Sequence, residues 1–138
     1  MNIIMKKVMV FGTFDGIHKG HLDFFRQAKK YGDYLIAVAG KDSNILKIKK
    51  HLPKKNEQER ICGLKNCKLV DEALPGYEND PYKIIEEIKP EVICLGYDQS
   101  FFTNNLEKEI EKRGLQIKIF RLKPHKPDQF KSSVLNKK

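Results

Sequence analysis

The chain has 138 residues, of which 40% are hydrophobic and 33% charged, enough for one core and one domain over residues 1–138. Its apolar runs fall far short of the ~20 residues a membrane span needs, and the start MNIIMKKVMVFG lacks a signal peptide's apolar core and cleavage site, so a cytoplasmic protein is expected, with no membrane partner. The formal net charge of +9 favours polyanionic partners (nucleotides, phosphorylated metabolites or nucleic acid) without choosing among them.

Lys7 to Phe11 reads as a buried strand. His18 to Tyr31 reads as a helix with Leu22, Phe25 and Ala28 on one face, stopped by Gly32. Tyr34 to Ala39 is a second strand, and a basic, irregular segment follows from Lys41 to Lys55. Asn56 caps a helix through Leu64, with Glu59 in the capping-box position. Lys68 to Ala73 is a short strand. Asp80 and Pro81 start a helix through Ile88, and Pro90 ends it. Val92 to Leu95 is a strand, Asn104 or Asn105 opens a helix to Arg113 closed by Gly114, and Leu115 to Leu122 is the last strand. Cys62, Cys67 and Cys94 match no metal or redox spacing and are read as reduced and structural. No zinc or other metal site is expected among the side chains.

Five apolar strands alternating with helices make an α/β fold: a Rossmann-like, five-stranded parallel sheet with helices on both faces. Such sheets bind ligands beyond the carboxyl ends of their strands, where the strand order reverses. The stretch GTFDGIHKGH, Gly12 to His21, follows the first strand and so lies where a ligand should sit. Its glycines admit close approach of a bound group to the backbone. A helix starting near His18 directs unpaired N–H groups and the positive end of its dipole at the same place, which makes an anion site. His18 and His21 share one face of the first turn and can donate hydrogen bonds to phosphate oxygens. Asp15 is read as a brace of its own turn, and Phe14 as packing apart from its N–H.

GTFD-GI-HKGH resembles the GTFD-x-x-H-x-G-H signature of the cytidylyltransferase-like nucleotidyltransferases. The resemblance continues through AKKYGDYLIAVAGKD, NEQERICGLKNCKLVDEALPG, CLGYDQ and FKSSVL, roughly residues 5 to 135. It implies the nucleotidyltransferase fold and transfer of a nucleoside monophosphate: an acceptor phosphate oxygen attacks the α-phosphorus of a nucleoside triphosphate in line and pyrophosphate leaves. It also implies roles by position. Gly12, Thr13 and Phe14 line the triphosphate through the backbone; His18 and His21 hold the α- and β-phosphates; Lys19 and Gly20 complete the helix start. Lys47 and Lys49 match a K-x-K that engages phosphates. Arg60 holds the acceptor phosphate, and His18, His21, Lys47 and Arg60 are the expected catalytic set. Asp98 contacts the nucleoside, Arg121, which ends the fifth strand, also binds the nucleotide, and Ser132 and Ser133 lie near the β- and γ-phosphates. Relatives often carry lysine where this chain has Val134, and Pro124 to Lys131 reads as an insertion, with His125 and Lys126 as candidates to replace that charge.

Within the family the phrase LGYDQ and the basic last strand are most similar to the archaeal-type FAD synthases, which move AMP from ATP to FMN. The alternatives are a glycerol-3-phosphate cytidylyltransferase, using CTP and typically carrying GDDW at that place, and a sugar-phosphate adenylyltransferase. The resemblance further implies Mg²⁺ carried on the nucleotide phosphates and a homodimer. A non-catalytic nucleotide sensor or a nucleic-acid-binding module is the alternative of another class. Against the latter, no aromatics interleave the basic segment, and no nucleic-acid partner is expected.

Overall fold

The computed structural model describes residues 5–78, 80–97, 99 and 105–124, the side chain of Ile48 excepted. The strands are β1 (Lys7–Gly12), β2 (Tyr34–Ala39), β3 (Glu72–Pro75), β4 (Val92–Leu95) and β5 (Lys118–Arg121). They form one parallel sheet in the order β3-β2-β1-β4-β5. The helices are α1 (Lys19–Lys29), α2 (Asp42–Lys49), α3 (Glu57–Lys65), α4 (Lys83–Ile88) and α5 (Leu106–Lys112). No helix among the described residues is long and apolar enough to cross a membrane.

Alternation along β1 divides the core in two. Val8 and Val10 pack with Leu35, Ala37, Phe25 and Ala28 of α1, and Leu64 of α3. Met9 and Phe11 pack with Ile36, Val38, Ile84 and Ile85 of α4, and Leu106 and Ile110 of α5. Both sheet faces are therefore covered, as apolar strands of this kind require. The chain lays β2 and β3 on one side of β1, then returns to lay β4 and β5 on the other. The order reverses between β1 and β4, and the ends of these two strands, Gly12 and Leu95, open on the same crevice.

Four boundaries depart from the sequence reading. The segment from Lys41 to Lys55, expected to be irregular, contains α2. Ile45 is buried there against Gly40, and Lys50 ends the helix in the left-handed region with its N–H on Leu46 O at 2.9 Å. The expected strand from Lys68 begins instead at Glu72, because a turn with Val70 N donating to Cys67 O at 3.1 Å takes up the earlier residues. Asp80 does not cap α4 from the expected start. Its carboxylate accepts from Tyr82 N at 3.1 Å and pairs with Arg113, so the helix begins at Lys83. The last strand starts at Lys118 rather than Leu115, whose N–H turns back to Ile110 O at 3.0 Å to close α5. The helix capped by Asn56 stands as read: its Oδ1 accepts from Glu59 N at 2.8 Å, and Glu59 Oε1 accepts from Asn56 N at 2.9 Å.

Candidate active site

Past Gly12 the chain turns sharply. Phe14 adopts φ 54°, a left-handed conformation that costs a non-glycine residue on the order of 1 kcal/mol. Packing of its ring offsets that cost. The ring is buried, with its centroid 5.5 Å from the His21 ring and 5.6 Å from that of Phe25. It also lies beneath Gly12, where an added Cβ would stand 2.9 Å from it. Glycine at position 12 is thus a packing requirement of the Phe14 ring.

The two histidines start α1 in a way the sequence did not reveal. The expectation was a set of unpaired backbone N–H groups facing an anion. Instead the imidazoles themselves cap the helix. His18, in extended conformation, accepts from Gly20 N through Nδ1 at 3.0 Å, and His21 Nδ1 accepts from His18 N at 3.2 Å. Together they make a capping box of the kind usually built from Ser or Thr with Glu. A ring whose Nδ1 accepts carries its proton on Nε2. Both rings, 4.0 Å apart between centroids, are therefore set to donate through Nε2–H. Burial, and then the neighbouring His18, hold His21 neutral by lowering its pKa to about 4. Gly20 is required for the cap, since an added Cβ there would meet the His18 ring at 2.9 Å.

Arg60 was expected on the acceptor's phosphate. The residue is only 1% exposed, and its guanidinium is engaged inside the protein. It donates to Thr13 O (2.7 Å), Gly40 O (2.9 Å), Lys55 O (3.2 Å) and Asp42 Oδ1 (2.5 Å). One cation thus joins the loop after β1, the end of β2, the start of α2 and the approach to α3. The geometry gives it a positioning role and leaves little of it for a ligand. Asp15 also reaches beyond its own turn, accepting from Lys54 N at 2.7 Å and Lys55 N at 2.9 Å. Those two amides hold its carboxyl below the ordinary carboxylate range. Of the K-x-K pair, Lys49 brings its ammonium to Thr13 Oγ1 at 3.0 Å, while Lys47 stands exposed on α2. Lys19 is also exposed.

Across the crevice, Gln99 bridges the two strand ends. Its Oε1 accepts from Gly96 N at 3.0 Å, and its Nε2 donates to Phe11 O at 2.9 Å. Arg121, at the end of β5, donates through Nη1 to Gly96 O (2.7 Å) and Gln99 O (2.8 Å). Sequence reasoning missed Gln99 and Asp42, because both act on groups far away in the chain and neither has a local pattern. Asp98, Ser132, Ser133 and the Pro124 to Lys131 insertion, apart from Pro124 itself, lie outside the described residues.

The model of the cytidylyltransferase-like family matches residues 9–138. A FAD synthase of Ferroglobus placidus is 44% identical over 132 residues, covering 94% of this chain and 84% of its own. One from Aciduliprofundum boonei is 42% identical over 121 residues, 88% of this chain and 80% of its own. The crystal structure of a lipopolysaccharide core biosynthesis protein from Thermoplasma volcanium superposes with a TM-score of 0.82 at 37% identity, covering 88% of this chain and 98% of that one.

The buried fork of Arg60 carries a stability prediction. Arg60→Lys cannot span four acceptors, and denaturant unfolding should show a loss of about 3 kcal/mol. His21 carries a pH prediction. Its folded pKa of about 4 lies below the ordinary 6.5, so the unfolded chain takes up the proton first and stability falls as pH drops from 6.5 towards 4. In H21Q, which keeps an acceptor at that place, urea midpoints measured across this window should lose that component of the slope.

Proposed function

Because the chain belongs to the cytidylyltransferase-like family, we propose that it is an FMN adenylyltransferase, residues 1–138 acting as one catalytic domain. It moves AMP from ATP to the phosphate of FMN, giving FAD and pyrophosphate. The observation that carries this reading is the pair of imidazoles at the switch point of the sheet, each fixed by a hydrogen bond at Nδ1 that leaves the proton on Nε2, in a chain more than 40% identical to proteins named FAD synthase.

Among the described residues no three His, Cys, Asp or Glu side chains stand together as a metal cage. The divalent ion enters with the substrate, as Mg²⁺ carried on the triphosphate. A phosphate oxygen of FMN forms a bond to the α-phosphorus as the bond from that phosphorus to the bridging oxygen of pyrophosphate breaks. The leaving group departs on the opposite side, and no covalent enzyme intermediate is needed. His18 and His21 donate Nε2–H to the α- and β-phosphate oxygens, where negative charge grows in the transition state. The backbone of Gly12, Thr13 and Phe14, with Lys19 and Gly20, shapes the same cradle. Lys47 and Lys49 supply positive charge on the α2 side. Asp98, placed by resemblance on the nucleoside, and Ser132 and Ser133, placed on the β- and γ-phosphates, complete the set. Arg60 and Arg121 act by holding the loops on either side. These donors act through fixed hydrogen bonds, so no proton need be removed and restored in each turnover.

The name of the Thermoplasma volcanium structure favours a second reading, a sugar phosphate as acceptor. Pyrophosphate release from ATP and from CTP, each tried with FMN, glycerol 3-phosphate and a hexose phosphate, separates these possibilities. Release with ATP and FMN alone is expected, and His18→Ala should lower that turnover on the order of 10²–10³-fold. Release only with CTP and glycerol 3-phosphate, or undiminished turnover in His18→Ala, contradicts the proposal.

A further inference from the structure

Among the described residues, four large apolar side chains are well exposed: Met5, Leu46, Leu52 and Tyr97. Single exposed leucines are ordinary. Leu46 and Leu52, 46% and 57% exposed, differ because the segment carrying them makes hydrogen bonds to the loop after β1 near each of them. Leu46 lies one helical turn before Lys49, on the same face of α2, and the Lys49 ammonium reaches Thr13 Oγ1 at 3.0 Å. Leu52 shortly precedes Lys54 and Lys55, whose amides are held by the Asp15 carboxylate at 2.7 and 2.9 Å. Lys55 O is held in turn by Arg60 Nε at 3.2 Å. Asp15, Thr13 and the imidazole cap belong to one continuous stretch of chain. The segment that carries the two leucines is thus tied to the loop after β1, and along it Lys47, Lys49, Lys50, Lys54 and Lys55 are exposed as well.

Lysines around exposed apolar side chains make a surface with two chemistries side by side. Such a surface fits a phosphate monoester that carries a broad, flat, largely apolar ring system. The dianion meets the ammonium groups, and the ring covers the leucines and removes them from water. A small hydroxylated phosphate ester satisfies only the first half. Resting on the reading of FMN as acceptor, we propose that Leu46 and Leu52 form the platform for the isoalloxazine ring and so make the site selective for a flavin.

The test is steady-state kinetics of FAD formation by the full chain and by L46S, L52S and the double variant, with FMN and MgATP varied separately. Each single substitution should raise KM for FMN about tenfold. KM for MgATP should stay within about twofold and kcat at saturating FMN within about threefold. L52M, which restores apolar surface, should return KM for FMN close to its original value. Both leucines are well exposed, so thermal unfolding should be little changed, and that measurement separates a binding loss from a folding loss. An unchanged KM for FMN in the double variant overturns the platform while leaving the adenylyl-transfer reading intact. So does a change confined to the sedimentation coefficient, which would make this face a contact between copies of the chain. Absence of FAD from the unaltered protein overturns the reading on which the platform rests.

Discussion

The candidate site depends on the way two imidazole rings begin helix α1. By turning Nδ1 inward to accept backbone N–H groups, His18 and His21 satisfy donors that would otherwise face the crevice. The same bonds decide where each ring keeps its proton, so the helix cap and the tautomer are one constraint. Two glycines and a strained phenylalanine follow from it. Gly20 makes room for the His18 ring, Gly12 makes room for Phe14, and the Phe14 ring closes over His21. A side chain at either glycine would displace a ring before it met a substrate.

Around that cap the structure fastens loops that are far apart in sequence. On one side Arg60 gathers Thr13, Gly40, Asp42 and Lys55 onto one guanidinium, and Asp15 adds two amides of the segment before α3. On the other side Gln99 links the end of β1 to the start of the loop after β4, and Arg121 holds the carbonyls of that loop. Both sides are tied to the strand ends at the reversal of the sheet, where backbone groups left over from pairing need partners. Preorganisation of this kind matters for phosphoryl transfer, because the protein's contribution is largely positioning and fixed electrostatics.

Much of the fold was legible because its signals are local. The apolar run in β2, the Asn56 and Glu59 pair that caps α3, and the Gly114 stop each lie within a few neighbouring residues, and each led to the right element. The stretch from Gly12 to His21 likewise stands where it was expected, beyond β1 at the reversal of strand order. The misreadings share a physical cause. Helix α2 is rich in lysine and weakly amphipathic, and it is secured by a buried Ile45 and by Asp42 on an arginine that comes later in the chain. The beginning of β3 is set by the turn from Cys67 to Val70 and by pairing with β2 from Glu72 onward. Arg60 in sequence resembles a ligand-binding arginine. Its burial appears only when four carbonyl and carboxylate oxygens from distant segments converge on it. A single sequence shows the acceptors in the histidine rings but not that backbone amides will reach them first.

The most direct measurement is the ring-nitrogen NMR spectrum of the protein labelled with ¹⁵N-histidine, recorded near neutral pH with and without a non-hydrolysable MgATP analogue. For both His18 and His21, an unprotonated Nδ1 and a protonated Nε2 are expected in the free protein, with the analogue shifting the Nε2 signals while the tautomer stays the same. A proton on Nδ1 of either ring, or Nε2 signals that do not respond to bound nucleotide, would contradict the assignment of these imidazoles as fixed donors to phosphate.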